Sequence, residues 1–120
     1  MDNESLNQIN EIFEFLKNPK TRLDALNTVL GLTENEAFRF LLLKSDVCRI
    51  MIRLLESDIQ NSSLILQIII NLSADEIFQK KFIELNTIYR IITLFFQNID
   101  NFKSTPKEEK STDFEAKISN

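Results

Sequence analysis

The 120-residue chain has no histidine and no tryptophan, and it contains one cysteine, one glycine and two prolines. Without histidine, a Ser-His-Asp or Cys-His catalytic arrangement and a histidine metal site are excluded. The single cysteine, Cys48, cannot form an internal disulfide or a zinc cluster. The single glycine, Gly31, cannot supply a Walker loop or a dinucleotide-binding fingerprint. We therefore expect a protein that is not an enzyme, with no cofactor and no bound metal.

Charge and hydrophobicity exclude two further classes of partner. The chain has 18 acidic and 14 basic residues, for a formal net charge of −4. Nonspecific nucleic-acid binding needs Lys and Arg to displace phosphate counterions, so we expect no nucleic-acid partner. The longest strongly apolar stretch, residues 64–72, is interrupted by Gln67 and is too short to cross a bilayer. The acidic start does not match a secretory signal. These features predict a cytoplasmic protein with no membrane partner.

Composition changes near residue 100. The final segment is rich in charged and small polar residues, and the apolar residues of 101–120 are only Phe102, Phe114, Ala116 and Ile118. So few apolar side chains cannot offset the conformational entropy that is lost on ordering a segment. We predict a helical repeat domain in residues 1–99 and a disordered polar tail in residues 100–120.

The first hundred residues repeat with a period of 40. Segment 30–38 aligns with 70–78, and 51–55 aligns with 91–95 in a third unit. Two polar pairs also align, namely Thr33 with Ser73 and Glu36 with Glu76. A Ser or Thr three residues before a Glu is typical of a capping box, in which the hydroxyl accepts from a first-turn amide and the Glu reaches back to the cap residue. Thr33 with Glu36 therefore predicts the start of one helix, and Ser73 with Glu76 predicts the start of another.

Other cap signals complete the prediction of helices. They occur at Asn18 with Pro19, at Ser45 or Asp46, at Asn61 or Ser62, and at Asn86. The predicted helices span 4–17, 20–32, 35–43, 46–57, 61–72, 75–84 and 87–98. The β-branched residues of 64–70 would also suit a strand. A sheet, however, needs several turns built on glycine or proline, which this chain cannot supply. We predict an all-α fold.

A period of about 40, with two or three helices per unit, indicates an armadillo or HEAT-like α-solenoid of about two and a half repeats. In helix 61–72 we expect the apolar residues to be buried: Leu64, Ile65, Leu66, Ile68, Ile69, Ile70 and Leu72. Its polar residues form one stripe, Ser63, Gln67 and Asn71. At matching places helix 20–32 carries Asp24, Asn27, Thr28 and Gly31. We expect the two stripes to lie side by side on a concave surface.

The residues 70–76, Ile-Asn-Leu-Ser-Ala-Asp-Glu, resemble the N-L-S-x-D ending of an armadillo third helix. Together with residues 29–33 one period earlier, they are similar to the N-terminal part of the Hgh family of cytosolic armadillo-like proteins. The similarity covers roughly residues 5–98. It implies an adaptor in the chaperonin-assisted folding of translation elongation factor 2, with the elongation factor and the chaperonin as partners. It implies no catalytic residue.

The candidate partner-binding residues are Asn27, Gln67, Asn71, Phe95 and Phe96. In peptide-binding armadillo proteins, an asparagine near the end of the third helix bonds the backbone of an extended ligand, and Asn71 holds that place. The alternative is that its amide only satisfies carbonyls near a helix end. Helix 87–98 is apolar around most of its circumference, which one neighbouring unit cannot cover. We expect a further repeat, a second copy of the chain or another partner to cover it.

Three interpretations of function follow from these features. The leading one is a non-enzymatic protein-interaction module. The alternatives are a structural fragment that self-associates through 87–98 and a general armadillo peptide-binding scaffold. We assign Cys48 to the core, and the helical spacing of eight phenylalanines predicts the same for them: Phe13, Phe15, Phe38, Phe40, Phe78, Phe82, Phe95 and Phe96. Acidic residues at helix starts are explained by the helix dipole without acid–base catalysis.

Overall fold

The computed structural model describes residues 3–98, and that part of the chain is helical with no strand. The α-helices follow one another through short links, with a three-residue 3-10 helix, Ile59–Asn61, before the fifth. They are α1 (Asn3–Lys17), α2 (Arg22–Thr33), α3 (Glu36–Leu42), α4 (Val47–Ser57), α5 (Ser62–Leu72), α6 (Glu76–Glu84) and α7 (Thr87–Gln97). The all-α prediction is confirmed. The predicted tail, residues 100–120, lies outside the described residues.

The helix starts recur at the predicted interval. Helices α5, α6 and α7 each begin one period after α2, α3 and α4 respectively. In each triplet the middle helix is the shortest, with 7 residues in α3 and 9 in α6. The predicted bounds agree with the observed ones to within two residues. The largest shift is at α2, which begins at Arg22 because residues 18–21 form a turn in which the Thr21 amide donates to the Asn18 carbonyl at 3.1 Å.

The predicted capping boxes are wrong. Thr33 is the last residue of α2 and Ser73 follows the last residue of α5, so both hydroxyls belong to the helix that ends. The Thr33 hydroxyl donates to the Leu30 carbonyl at 2.7 Å, and the Ser73 hydroxyl donates to the Ile69 carbonyl at 2.7 Å. Hydroxyls that bond backwards in this way compete with capping of the next helix.

The caps of α3 and α6 lie two residues further along. The Asn35 side-chain oxygen accepts from the backbone amides of Ala37 at 2.8 Å and Phe38 at 3.3 Å. Asp75 stands at the N-cap of α6, but its carboxylate makes no cap hydrogen bond. Instead it accepts from Arg39, so a long-range ion pair replaces the local cap.

Within the described residues, 3–85 form one compact unit, which we call unit 1. Within it α2 packs against α1, α3 and α5, and α4 packs against α5 and α6. The fully buried side chains come from every helix of this unit: Leu16, Leu26, Val29, Leu42, Val47, Met51, Ile52, Leu55, Ile65, Ile68, Leu72 and Phe78. Burial of these apolar side chains supplies the main stabilisation of the unit.

Several residues that we expected in this core are on the surface. Ile70 is 62% exposed, Phe15 54%, Phe38 45% and Phe40 69%. Their helical spacing is correct, but a helix in a small unit has too few neighbours to cover every apolar face. Phe13, Phe78 and Phe82 are buried as predicted.

Two arginines tie helix ends together across the unit. The Arg22 guanidinium donates to the Leu16 carbonyl at 2.8 Å and to the Asp58 carboxylate at 3.2 Å. Both charged side chains of this ion pair are at most 16% exposed. Hydrogen bonds from Asn61 and Arg22 lower the pKa of the Asp58 carboxyl, although its partial burial opposes the shift. This network holds the end of α1 and the start of α5 against α2.

The second arginine repeats the arrangement one helix later. The Arg39 guanidinium donates to the Thr33 carbonyl at 2.9 Å and to the Asp75 carboxylate at 2.8 Å. In both networks the carbonyl lies six residues before the arginine and the aspartate lies 36 residues after it. Gln79, one period after Arg39, donates to the Ser73 carbonyl at 2.7 Å. The same side-chain bond across a helix junction therefore occurs at positions one period apart.

Helix α7 belongs to a second unit, which begins at Asn86. Asn86 precedes the helix in a left-handed conformation, with φ of 56°, which asparagine tolerates better than most residues. Thr87, the first helical residue, is 4% exposed, and its hydroxyl oxygen has no hydrogen-bond partner among the described residues. Its counterpart one period earlier is the buried Val47.

Candidate functional site

Helices α2 and α5, which carry the two predicted polar stripes, pack against each other. A hydrogen bond of 3.1 Å joins the Asn71 side-chain amide to the Thr33 hydroxyl oxygen near the ends of these helices. Thr33 is fully buried, and its hydroxyl also donates to its own helix, so the bond satisfies a polar group inside the unit. Asn71 therefore connects one helix of the pair to the other.

The side-chain oxygen of Asn71 also forms a hydrogen bond. This oxygen accepts from the Gln67 amide at 3.3 Å, one helical turn earlier. A side-chain amide has two donor hydrogens and two acceptor lone pairs, so each group of Asn71 keeps one for a further bond. These bonds give Asn71 a structural role, but its partners are a hydroxyl and a side-chain amide and not the helix-end carbonyls that the sequence suggested. Gln67 is exposed and lies beside it.

Asn27 and its neighbours satisfy their polar groups within α2. The Asn27 amide donates to the Leu23 carbonyl at 3.1 Å, and the Thr28 hydroxyl donates to the Asp24 carbonyl at 3.0 Å. Both side chains are exposed. The Asn27 side chain thus bonds a carbonyl of its own helix, whereas hydrogen bonds join Gln67 to Asn71 and Asn71 to Thr33 of α2.

Gly31 creates a gap in the surface of α2. It is exposed in the helix, and a Cβ atom placed on it would meet nothing within 4 Å. Glycine within a helix costs about 1 kcal/mol relative to alanine. No turn, positive φ or close packing contact explains this glycine.

Large apolar side chains accompany the polar groups on this helix pair. Leu23 of α2 is 52% exposed and Ile70 of α5 is 62% exposed. Leu23 lies one turn before Asn27 and two turns before Gly31, so these three share a face of α2. We call Leu23, Asn27, Gly31, Gln67 and Ile70 the α2/α5 surface. No sequence signal singled out Leu23, and the predicted burial of Ile70 is wrong.

The two remaining candidates, Phe95 and Phe96, lie on α7 in the second unit. Their ring centroids are 6.0 Å apart and the rings meet edge to face at 77°. They are 51% and 65% exposed, so their predicted core placement is wrong. Three more apolar side chains of α7 are at least half exposed: Ile88, Tyr89 and Ile92.

Concave regions also occur in unit 1. A groove of about 340 Å³ lies along α1 and α2, lined by Ile12, Phe15, Thr21, Asp24, Ala25 and Thr28. A smaller cavity of about 90 Å³ borders Cys48 and includes Phe78 and Lys81. Cys48 is buried, as predicted, and burial raises the pKa of its thiol to about 11 even though the Lys81 charge lowers it. The thiol is therefore protonated at neutral pH and is a weak nucleophile.

Within residues 3–98, no three Cys, Asp or Glu side chains cluster closely enough to hold a metal ion. None of the helices in that range combines the length and the apolar character that a membrane span requires.

Comparison of the chain with protein-family models, curated protein sequences and solved structures found no match. The resemblance to the Hgh family therefore remains a prediction that rests on residues 29–33 and 70–76.

Proposed function

We propose that this chain is a non-enzymatic protein-interaction module, an armadillo-like α-solenoid that binds a protein client on its α2/α5 surface. The observation that carries the proposal is the packing of α2 against α5, two helices whose starts are one period apart. In repeat proteins, corresponding helices of successive units stack in this way and create an extended surface.

Side-chain bonds at period-related positions support the repeat architecture. Arg39 and Gln79 are one period apart, and they bond the carbonyls of Thr33 and Ser73, which have the same separation. Such a match depends on similar geometry at two helix junctions, because each donor must reach back six residues. Tandem units related in this way favour a solenoid over an unrelated helical bundle.

The chemistry of the α2/α5 surface suits a protein client. Exposed amides at Asn27 and Gln67 can bond either peptide groups or polar side chains. Leu23 and Ile70 supply apolar area among them, and protein interfaces combine both kinds of contact. The gap at Gly31 allows a client's main chain to approach the helix closely.

The resemblance to the Hgh family implies elongation factor 2 as the client and the cytosolic chaperonin as the assisting partner. A cytoplasmic location is proposed on the same resemblance. The peptide-scaffold alternative is less favoured, because Gly31 occupies the place that corresponds to Asn71 one period earlier, so the row of asparagines that a long peptide needs is missing.

The test is direct titration of the fluorescently labelled full chain with purified elongation factor 2 and, separately, with purified chaperonin. Fluorescence anisotropy measures the dissociation constant. We expect Leu23→Glu to weaken client binding at least about tenfold, which is about 1.4 kcal/mol. The matched control is Ile83→Glu on α6, where the isoleucine is 70% exposed and lies outside the proposed surface.

Different outcomes test the identity of the client and the location of its binding surface. Binding of neither protein would refute the Hgh-type function. Binding that Leu23→Glu leaves unchanged would refute the α2/α5 surface, and equal weakening by both variants would indicate a general charge effect.

A further inference from the structure

Helix α7 presents a continuous apolar face. Its members are Ile88, Tyr89, Ile92, Phe95 and Phe96, which are between 50% and 72% exposed. At about 100° per residue these side chains occupy about one third of the helix circumference. The charged residue of α7, Arg90, lies on the other side of the helix. We call these five residues the α7 ridge.

The ridge is large enough to form an interface with an equal surface. A large apolar side chain has an area of about 200 Å², so the exposed fractions give about 600 Å² of ridge. That is the upper end of the largest apolar patch on a typical monomer. Complete coverage of two such ridges would bury about 1,200 Å², which reaches the lower limit for stable interfaces.

We propose that the α7 ridge binds the α7 ridge of a second copy of this chain, with the two helices antiparallel around a two-fold axis near Ile92. A ridge without charge requires an uncharged apolar partner, and a second copy supplies one of equal area. The antiparallel arrangement sets the smaller Ile88 opposite the larger Phe96 at both ends. It also aligns the helix dipoles favourably.

The chain's own final segment is a poorer occupant on sequence grounds. Its large apolar residues, Phe102, Phe114 and Ile118, are widely spaced and are separated by lysines and acidic residues. They cannot match five apolar residues at helical spacing. The proposed dimer does not depend on the proposed client, because the α2/α5 surface contributes nothing to it.

The first test is sedimentation equilibrium of the full chain at micromolar concentrations. We expect a monomer–dimer equilibrium, and Ile88→Glu should raise the dimer dissociation constant at least about tenfold. The matched control is Ile83→Glu, because Ile83 and Ile88 are 70% and 71% exposed. It should change the constant by less than about twofold, as surface substitutions away from an interface do. Circular dichroism checks that both variants fold.

A wild-type chain that is monomeric throughout this range would overturn the proposal. So would equal effects of the two glutamates. If the final segment covers the ridge instead, the wild type stays monomeric and Phe114→Ser increases the binding of a hydrophobic dye.

The second test reports the helix orientation and does not need a measured affinity. Copies carrying Ile88→Cys are mixed with differently tagged copies carrying Phe96→Cys and are oxidised mildly. The antiparallel dimer predicts disulfides between residues 88 and 96 of different copies. Cys48 does not compete, since it is buried. Preferential bonding of 88 to 88 would refute the antiparallel arrangement.

Discussion

Replacing Gly31 by alanine should stabilise the protein. The residue is exposed within α2, its φ is not positive, and a new Cβ would meet nothing within 4 Å. The substitution therefore adds no clash and removes the helix penalty of glycine, which is about 1 kcal/mol. For a domain of this size that gain corresponds to a rise in melting temperature of about 4–8 °C.

The matched variant is Asn71→Ala, at the corresponding place one period of 40 residues later. It removes the donor to the buried Thr33 hydroxyl, which costs about 1 kcal/mol. Alanine's helix propensity offsets about half a kcal/mol of that loss. Alanine should therefore raise the free energy of unfolding at position 31 and lower it slightly at position 71.

Urea denaturation followed by far-ultraviolet circular dichroism measures both variants, with the m-value as a check on two-state behaviour. A lower stability for Gly31→Ala would refute the open surface at that position. A stability of Asn71→Ala that is about half a kcal/mol above the wild type would show that the bond to Thr33 contributes nothing, because only the gain in helix propensity would remain. If Gly31→Ala is more stable and still binds the client, replacement by leucine tests whether the gap is needed for close approach.

Three further predictions follow from burial and hydrogen bonding. Phe78→Ala should lower the free energy of unfolding by about 3–5 kcal/mol, because the ring is fully buried. Phe40→Ala should change it by less than about 0.5 kcal/mol, because that ring is 69% exposed. Urea denaturation measures both variants, and equal losses would contradict the assigned core. Thr87→Val should raise the free energy of unfolding by about 1 kcal/mol, because the buried hydroxyl has no partner among the described residues and Val47 fills the corresponding position. A lower melting temperature of the variant would show that the hydroxyl is bonded. The hydrogen bond from Asn61 and the Arg22 pair lower the pKa of Asp58 below its ordinary value of 3.8, so its stabilisation is present above that pH and is lost as the pH falls through the lowered pKa. Melting temperatures of the wild type and Asp58→Asn should therefore differ at pH 7 and converge in strong acid, and a constant difference would refute the linkage.

Local signals predicted the helices well and their caps less well. Apolar spacing and polar residues at the links located the start of each described α-helix to within two residues, because helix initiation depends on neighbours along the chain. The Thr33 and Ser73 hydroxyls were assigned to the wrong helices. Links of two residues after α2 and three residues after α5 place the hydroxyl and the true cap so close together that the motif alone does not distinguish them.

The candidate site was only partly predictable. The bond between Gln67 and Asn71 follows from their spacing of four residues on one helix. The bond from Asn71 to Thr33 joins residues 38 apart, so it depends on how α2 and α5 pack. The exposure of Leu23 and Ile70 has the same origin, because spacing identifies a helix face and does not show whether a neighbour covers it.

The sequence by itself determined the helical class, the order of the helices and the period at which they recur, since these depend on interactions within a few residues of the chain. Only the tertiary structure decided which faces are covered and where the polar side chains bond. Arg39 reaching Asp75 and the exposure of Phe40 are both consequences of packing between helices distant in sequence. Burial is a property of neighbours in space, and the pattern of a single helix does not specify those neighbours.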